Sequence, residues 1–350
     1  MKKTGFIIII SFLFIVSCTL PLYNEELIKT LASIESAGME KLGETAFIEI
    51  DWNTNSSDRL FFYPVRDESH INYGLAVEKR NDGNVTLNMI GDSAAYVTGF
   101  FTGSAYADNL EVLVGPYDDG EADVLIGYIK EDNAEPLVII ARTLDFNDMD
   151  SVVDYSNNPV SGNNIYAFGL SYVESNNFIA GCLYESSDNY IEKYTSSSVS
   201  LVPSPSPTFG FVDRGTYSIP NPSSAYYEIF YSSPNPVGYI SYKDGSEIKL
   251  MVTSGDSTTP IVQEKGKISG YVIDATSAGR LVAYNPDEEM FYFYDSSSFA
   301  EIGVAVDATL LNYCGEYEIK GTKKLIFSLA SIFDTKDGKA ANFTLYAYEP

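Results

Sequence analysis

The chain offers few residues with obvious catalytic chemistry. It has one histidine, His70, two residues after Glu68, and histidine is the usual general base near neutral pH. A Ser-His-Asp triad would have to use His70, yet no Gly-x-Ser-x-Gly elbow accompanies it. A metal centre built from several histidines is excluded by count. His70 is therefore read as a surface histidine in a loop between strands.

Carboxylates are abundant, with 48 Asp and Glu against 22 Lys and Arg. A glycan-acting hydrolase needs only two of them facing each other about 5–10 Å apart. That separation is invisible in a linear sequence, so this enzyme reading stays the runner-up. The densest acidic stretch, Asp118-Asp119-Gly120-Glu121-Ala122-Asp123, supplies the hard oxygen ligands that Ca2+ takes. Its spacing does not fit an EF-hand loop, and Asp-Asp-Gly between strands is ordinary turn chemistry. Asp118, Asp119 and Asp123 are thus a minor Ca2+ candidate against a solvated turn, with no other metal or cofactor expected.

Tyrosine is the most distinctive type, at 27 residues beside 20 Phe and a single Trp. Tyr226, Tyr227, Tyr231, Tyr292 and Tyr294 form the clusters that would suit a binding face, since tyrosine joins contact area to a polar tip. The competing expectation is that tyrosine fills half-buried strands. Cys182 and Cys314 sit in apolar or aromatic settings and read as two separate buried thiols.

The elements that must position these residues are strands. Up to Tyr23 the chain is a leader and tether. Asn24 then caps a predicted helix over residues 25–43, with Leu27, Leu31, Ile34 and Ala37 at helical spacing. From Thr45 to Pro350 short β-branched and aromatic runs alternate with Gly, Asn, Asp, Ser and Pro turns. Outer turns near Asp82, Asn133, Ser187, Gly245, Ser297 and Lys336 recur about every fifty residues, the range of a four-stranded propeller blade. The expectation is an all-β domain, residues 45–350, with about six four-stranded blades closed by Phe47 to Ile50 beside Phe343 to Tyr348. The rival is a pair of β-sandwich domains, with the alternating prolines of Leu201 to Pro207 as a stiff linker.

The first residues speak to destination. Lys2 and Lys3 precede a nearly unbroken apolar run, Gly5 to Val16, and Ser17 stands before Cys18. This is the pattern of a secretory signal over residues 1–17, and the run is short of the roughly 20 residues that span a bilayer. Ile15-Val16-Ser17-Cys18 resembles the lipobox of bacterial prolipoproteins. The resemblance implies that Cys18 is acylated as the first mature residue and that residues 18–24 are a lipidated tether. Two or more acyl chains give a stable anchor. Thr19, in place of the Asp that marks inner-membrane retention in enteric lipoproteins, favours the outer membrane of the cell envelope.

Charge bounds the partners. The chain carries a formal charge of −26, which becomes −28 when Lys2 and Lys3 leave with a signal peptide. Phosphate backbones are repelled by such a surface, so no nucleic acid is expected. The sequence therefore points to a non-catalytic binding or scaffold module, held to the membrane by lipid, whose partner is another envelope protein or an extracellular glycan.

Overall fold

The computed structural model describes residues 21–50, 59–79, 85–92, 94–96, 110–129, 137–148, 152–160, 165–173, 177–186, 189–195, 199–200, 210–219, 225–232, 236–255, 261–336 and 338–350. It begins with a helix, α1 (Pro21–Ala37). The helix starts earlier and ends sooner than its apolar spacing suggests. Gly38, at φ +69°, stops it. There Met39 N–H reaches the Ile34 carbonyl and Gly38 N–H the Glu35 carbonyl, both at 3.1 Å, the paired bonds of a Schellman cap. Residues predicted to continue the helix instead form β1 (Glu40–Glu44), followed by β2 (Ile48–Ile50).

Six small antiparallel sheets follow in sequence and form a six-bladed propeller. Blade 1 is β3 (Arg59–Pro64), β4 (Gly74–Lys79), β5 (Val85–Ile90) and β6 (Ala94–Tyr96). Blade 2 is β7 (Leu110–Asp118), β8 (Glu121–Ile129), β9 (Leu137–Asp145) and β10 (Val152–Val160). Blade 3 is β11 (Ile165–Tyr172), β12 (Asn177–Ser186), β13 (Asn189–Thr195) and β15 (Phe211–Tyr217), with the short β14 (Val199–Ser200) beside β12. Blade 4 is β16 (Tyr226–Phe230), β17 (Val237–Asp244), β18 (Glu247–Ser254) and β19 (Ile261–Ile268). Blade 5 is β20 (Tyr271–Ala275), β21 (Arg280–Asn285), β22 (Met290–Asp295) and β23 (Val306–Asp307). Blade 6 is β24 (Leu311–Ile319), β25 (Thr322–Asp334) and β26 (Lys339–Tyr348), completed by β1.

The ring is closed by the N-terminal segment, which removes the open sheet edge that a linear array of blades would leave. The expected closing strand is present but shifted. Ile48 to Ile50 pairs with Ala341 to Lys339, whereas Glu40 to Glu44 pairs with Ala347 to Thr344. Phe47 contributes no pairing; it is exposed and meets Phe333 edge-on.

The core is divided in the same way as the sheets. Among the described residues six hydrophobic clusters occur, one at each junction between neighbouring blades. Alternate residues of one strand serve two junctions: Leu75 and Val77 face blade 2, and Ala76 faces blade 6. With both faces buried, strands read as continuous apolar runs and not as polar–apolar alternation.

The two-sandwich alternative is therefore set aside. β14 and β15 belong to one blade, so the proline stretch, itself outside the described residues, connects strands within blade 3. Of the expected outer turns, Gly245 (φ +63°) lies between β17 and β18, and Lys336 between β25 and β26. Ser297 lies one connection too late, after the third strand of blade 5. Asp82, Asn133 and Ser187 fall outside the described residues. No helix among the described residues is long and apolar enough to cross a membrane.

Candidate functional site in the axial channel

The first strands of the blades surround the axis. β3 touches β7 and β24, β7 touches β11, and β16 touches both β11 and β20. Gly169 on β11 allows the tightest of these approaches, since a Cβ there would lie 2.8 Å from the Tyr227 carbonyl oxygen of β16.

Arg66, just after β3, bridges four blades at one end of this axis. Its Nε donates to the Val114 carbonyl of blade 2 (3.2 Å) and its Nη1 to the Glu316 carbonyl of blade 6 (2.7 Å). The guanidinium lies 4.5 Å from the Tyr172 ring centroid of blade 3 and 4.8 Å from that of Tyr317 in blade 6. A planar cation that bonds through its edge while stacking on rings suits this position, and lysine could not replace it. Tyr317 is itself fixed, donating its hydroxyl to the Pro64 carbonyl at 2.7 Å.

Below Arg66 the lining is acidic. Glu111 of β7 accepts from Leu170 N–H at 2.9 Å, and Glu228 of β16 accepts from Ile229 N–H at 2.9 Å. Asp274 of β20 accepts from the Tyr313 hydroxyl of β24. Glu111 and Asp274 are surrounded by protein yet retain some accessible surface, whereas Glu228 is 3% exposed. Burial is the main force on all three. It drives Glu111 well above the usual carboxylate range, and the charge of Asp274 adds to the rise. Glu228 is driven up likewise, with Glu111 and Asp274 both adding to the rise. Asp274 is raised to about 6, against the opposing pull of the Tyr313 hydrogen bond and the Arg66 charge. Three carboxylates sharing an enclosed space cannot all ionise without cost, so their protons are held more tightly than in water.

Tyr226 and Tyr271, the first residues of β16 and β20, stand at the strand ends opposite Arg66. Their rings stack at 4.5 Å, with Tyr226 38% exposed. The axial site thus has an acidic interior with a guanidinium at one end, and at the other end of the first strands exposed Tyr226 stacks on Tyr271, which is buried between blades 4 and 5.

The remaining tyrosines do not join Tyr226 in one face. Tyr227 is 2% exposed and donates to Glu192 Oε1 at 2.8 Å, inside a buried network between blades 3 and 4. That network includes Tyr217, Thr253 and Arg214, whose Nη1 lies 3.2 Å from Glu192 Oε1. Tyr231 is half-buried against the same junction. Tyr294 is 5% exposed and accepts from Ser269 N–H, while half-buried Tyr292 bonds to Glu288. Packing between blades has used most of the tyrosine that sequence assigned to binding.

The acidic turn does not assemble a cation site. Asp118 and Asp119 are exposed at a two-residue hairpin turn in which Asp119 and Gly120 both have positive φ (49° and 93°). Asp123 is buried and accepts from Thr143 Oγ1 at 2.6 Å. Among the described residues no group of three His, Cys, Asp or Glu is arranged to hold a metal ion. His70 lies in a single 3₁₀ turn, stacked on Tyr117 at 4.0 Å. Cys182 and Cys314 are free buried thiols, each pushed up to about 12 by burial. Cys18 lies outside the described residues.

Arg66, Glu111, Glu228 and Asp274 were missed from sequence. The one signal was a charge inside an apolar strand, as in Leu110-Glu111-Val112 or Tyr227-Glu228-Ile229. Glu192, in Ile191-Glu192-Lys193, is a buried strand carboxylate that is structural, so a carboxylate within a strand does not by itself identify a site.

No family model and no curated protein matches the chain. Among solved structures it is similar to the SapL1 lectin in complex with alpha methyl fucoside, at 8% identity and a TM-score of 0.44, covering 81% of this chain and 95% of that one. It is also similar to the WD40 domain of Toxoplasma gondii coronin, at 9% identity and a TM-score of 0.40, covering 89% of each. A third, the polysaccharide lyase Uly1, has 7% identity and a TM-score of 0.36, covering 76% of this chain and 69% of that one. At these values the likenesses bear on neither ligand nor activity.

Proposed function

We propose that this protein is a bacterial envelope lipoprotein, acylated at Cys18 and held at the outer membrane, whose propeller binds an extracellular glycan without catalysis. The observation that carries the binding reading is the set of Glu111, Glu228 and Asp274 around one enclosed axis. Arg66 is a side-chain cation that acts on this set, through its pull on Asp274. Buried carboxylates cost stability unless hydrogen-bond donors meet them. A ligand rich in hydroxyl or ammonium hydrogens supplies such donors, and Tyr226 offers a ring face at the rim. The overall charge of −26 concentrates cationic solutes near the channel and repels anionic ones. An aminated sugar chain fits these terms better than a uronic acid chain.

Calorimetric titration with neutral, aminated and uronic oligosaccharides tests this. Wild type binds the aminated chain most tightly, and Glu228→Gln or Asp274→Asn weakens binding at least tenfold. Equal affinity in wild type and both variants would remove the axial channel from the account.

One observation favours a second reading, glycan hydrolysis. Asp274, raised to about 6, stands beside Glu111 and Glu228, which burial also drives up, and unlike environments are how two carboxylates divide acid and base roles. Release of new reducing ends by wild type, abolished in Asp274→Asn, would replace the binding reading.

A further inference from the structure

The helix α1 is fixed to the rim of the ring by a polar clasp. Asp307 of β23, the outermost strand of blade 5, is buried. It receives Thr30 Oγ1 at 2.7 Å and pairs with Lys29 Nζ at 2.7 Å, and its own N–H donates to Ser33 Oγ at 2.8 Å. Ile34 is buried in the junction between blades 5 and 6, with Leu27 and Ala37 packed beside it. On the flank of the helix turned away from Thr30, Ser33 and Ala37, Ile28 is 51% and Leu31 42% exposed, one turn apart.

We infer that this outward face of α1 lies on the lipid bilayer, so that the propeller is mounted edge-on with its blade 5 rim toward the membrane. The inference rests on the acylation of Cys18 proposed above. The three residue steps from Cys18 to Pro21 span at most ~11 Å. The first two turns of α1 add ~10 Å to Ile28. Ile28 is therefore within ~21 Å of the lipid attachment, and the clasp at Asp307 keeps the helix from swinging away from the ring. Two aliphatic side chains held that close to the headgroup region gain by leaving water. Glu25 and Glu35, exposed beside Ile28 on the same side of the helix, favour a zwitterionic surface over an anionic one. Edge-on mounting leaves both ends of the axial channel facing solution.

The test uses the full acylated protein in phosphatidylcholine vesicles whose acyl chains carry bromine quenchers. Tryptophan is placed at Ile28→Trp, at Leu31→Trp and, as an exposed control in blade 2, three blades round the ring from blade 5, at Glu121→Trp on β8; each is read against the parent, whose single tryptophan is Trp52. Quenching at 28 and 31 but not at 121 supports edge-on mounting. Vesicle-bound protein with no quenching at 28 or 31 overturns it while leaving the anchor intact. Protein that stays soluble, with no acyl mass on Cys18, overturns the lipoprotein reading and this inference with it.

Discussion

The hydroxyl of Tyr313 donates to the carboxylate of Asp274, tying the first strand of blade 6 to that of blade 5 at the axis. The bond helps hold Asp274 ionised against its burial, yet its pKa still stands at about 6, above the ordinary value of 3.8. The axial carboxylates are therefore a stability cost that the fold carries at neutral pH.

The sign of that cost gives the first prediction. A carboxylate whose folded pKa is raised makes the folded state the tighter proton binder between the two pKa values. Its stabilising contribution is complete below about 4 and lost as pH rises through about 6 for Asp274. Glu228→Gln should raise the Tm at about pH 7.5, and the gain should shrink at about pH 5. A Tm for Glu228→Gln below that of wild type at neutral pH would show that Glu228 is stabilising.

Arg66 should move the same curve. Its charge lowers the Asp274 pKa, so Arg66→Met should raise that pKa and shift the acid-favouring part of the Tm profile to higher pH. Arg66→Lys should not restore stability, because an ammonium cannot reproduce the stacking between Tyr172 and Tyr317 together with the two carbonyl bonds. Matching Tm profiles for Arg66→Lys and wild type would contradict this.

The pair Glu192 and Arg214 makes a different prediction. Both side chains are fully buried, and Glu192 also serves Tyr217, Tyr227 and Thr253. Glu192→Ala leaves a buried guanidinium without its counter-charge and should cost about 3–5 kcal/mol in urea unfolding. Glu192→Gln, which keeps an acceptor, should cost less.

The clasp on α1 should be separable from the ring. Asp307→Ala removes the acceptor for Thr30 and Lys29, so amide exchange across Pro21–Ala37 should accelerate while the strands of blades 1–4 keep their protection. Uniform loss of protection would mean that the helix is integral to the propeller core.

The propeller was legible because turn spacing survives in the sequence even where blades share little similarity. Asp119-Gly120 and Lys243-Asp244-Gly245 mark their turns by local chemistry alone. The site was legible only in part. Tyr226 and Tyr227 are adjacent and chemically alike, but strand alternation sends one to the channel rim and the other into a blade junction. Glu228 beside them joins carboxylates more than a hundred residues distant in sequence, at Glu111, and that meeting depends on ring closure. Closure in turn depends on β1, which lies within the range 25–43 expected to be helical. Gly38 was the local signal that separates it from α1.

The most direct test of the central claim is a crystal structure of the protein with an aminated oligosaccharide. The account predicts a sugar ring against Tyr226 and donors on the ligand within hydrogen-bonding distance of Glu228 or Asp274. A ligand seated between outer strands, away from Tyr226 and with the axial carboxylates untouched, would contradict it.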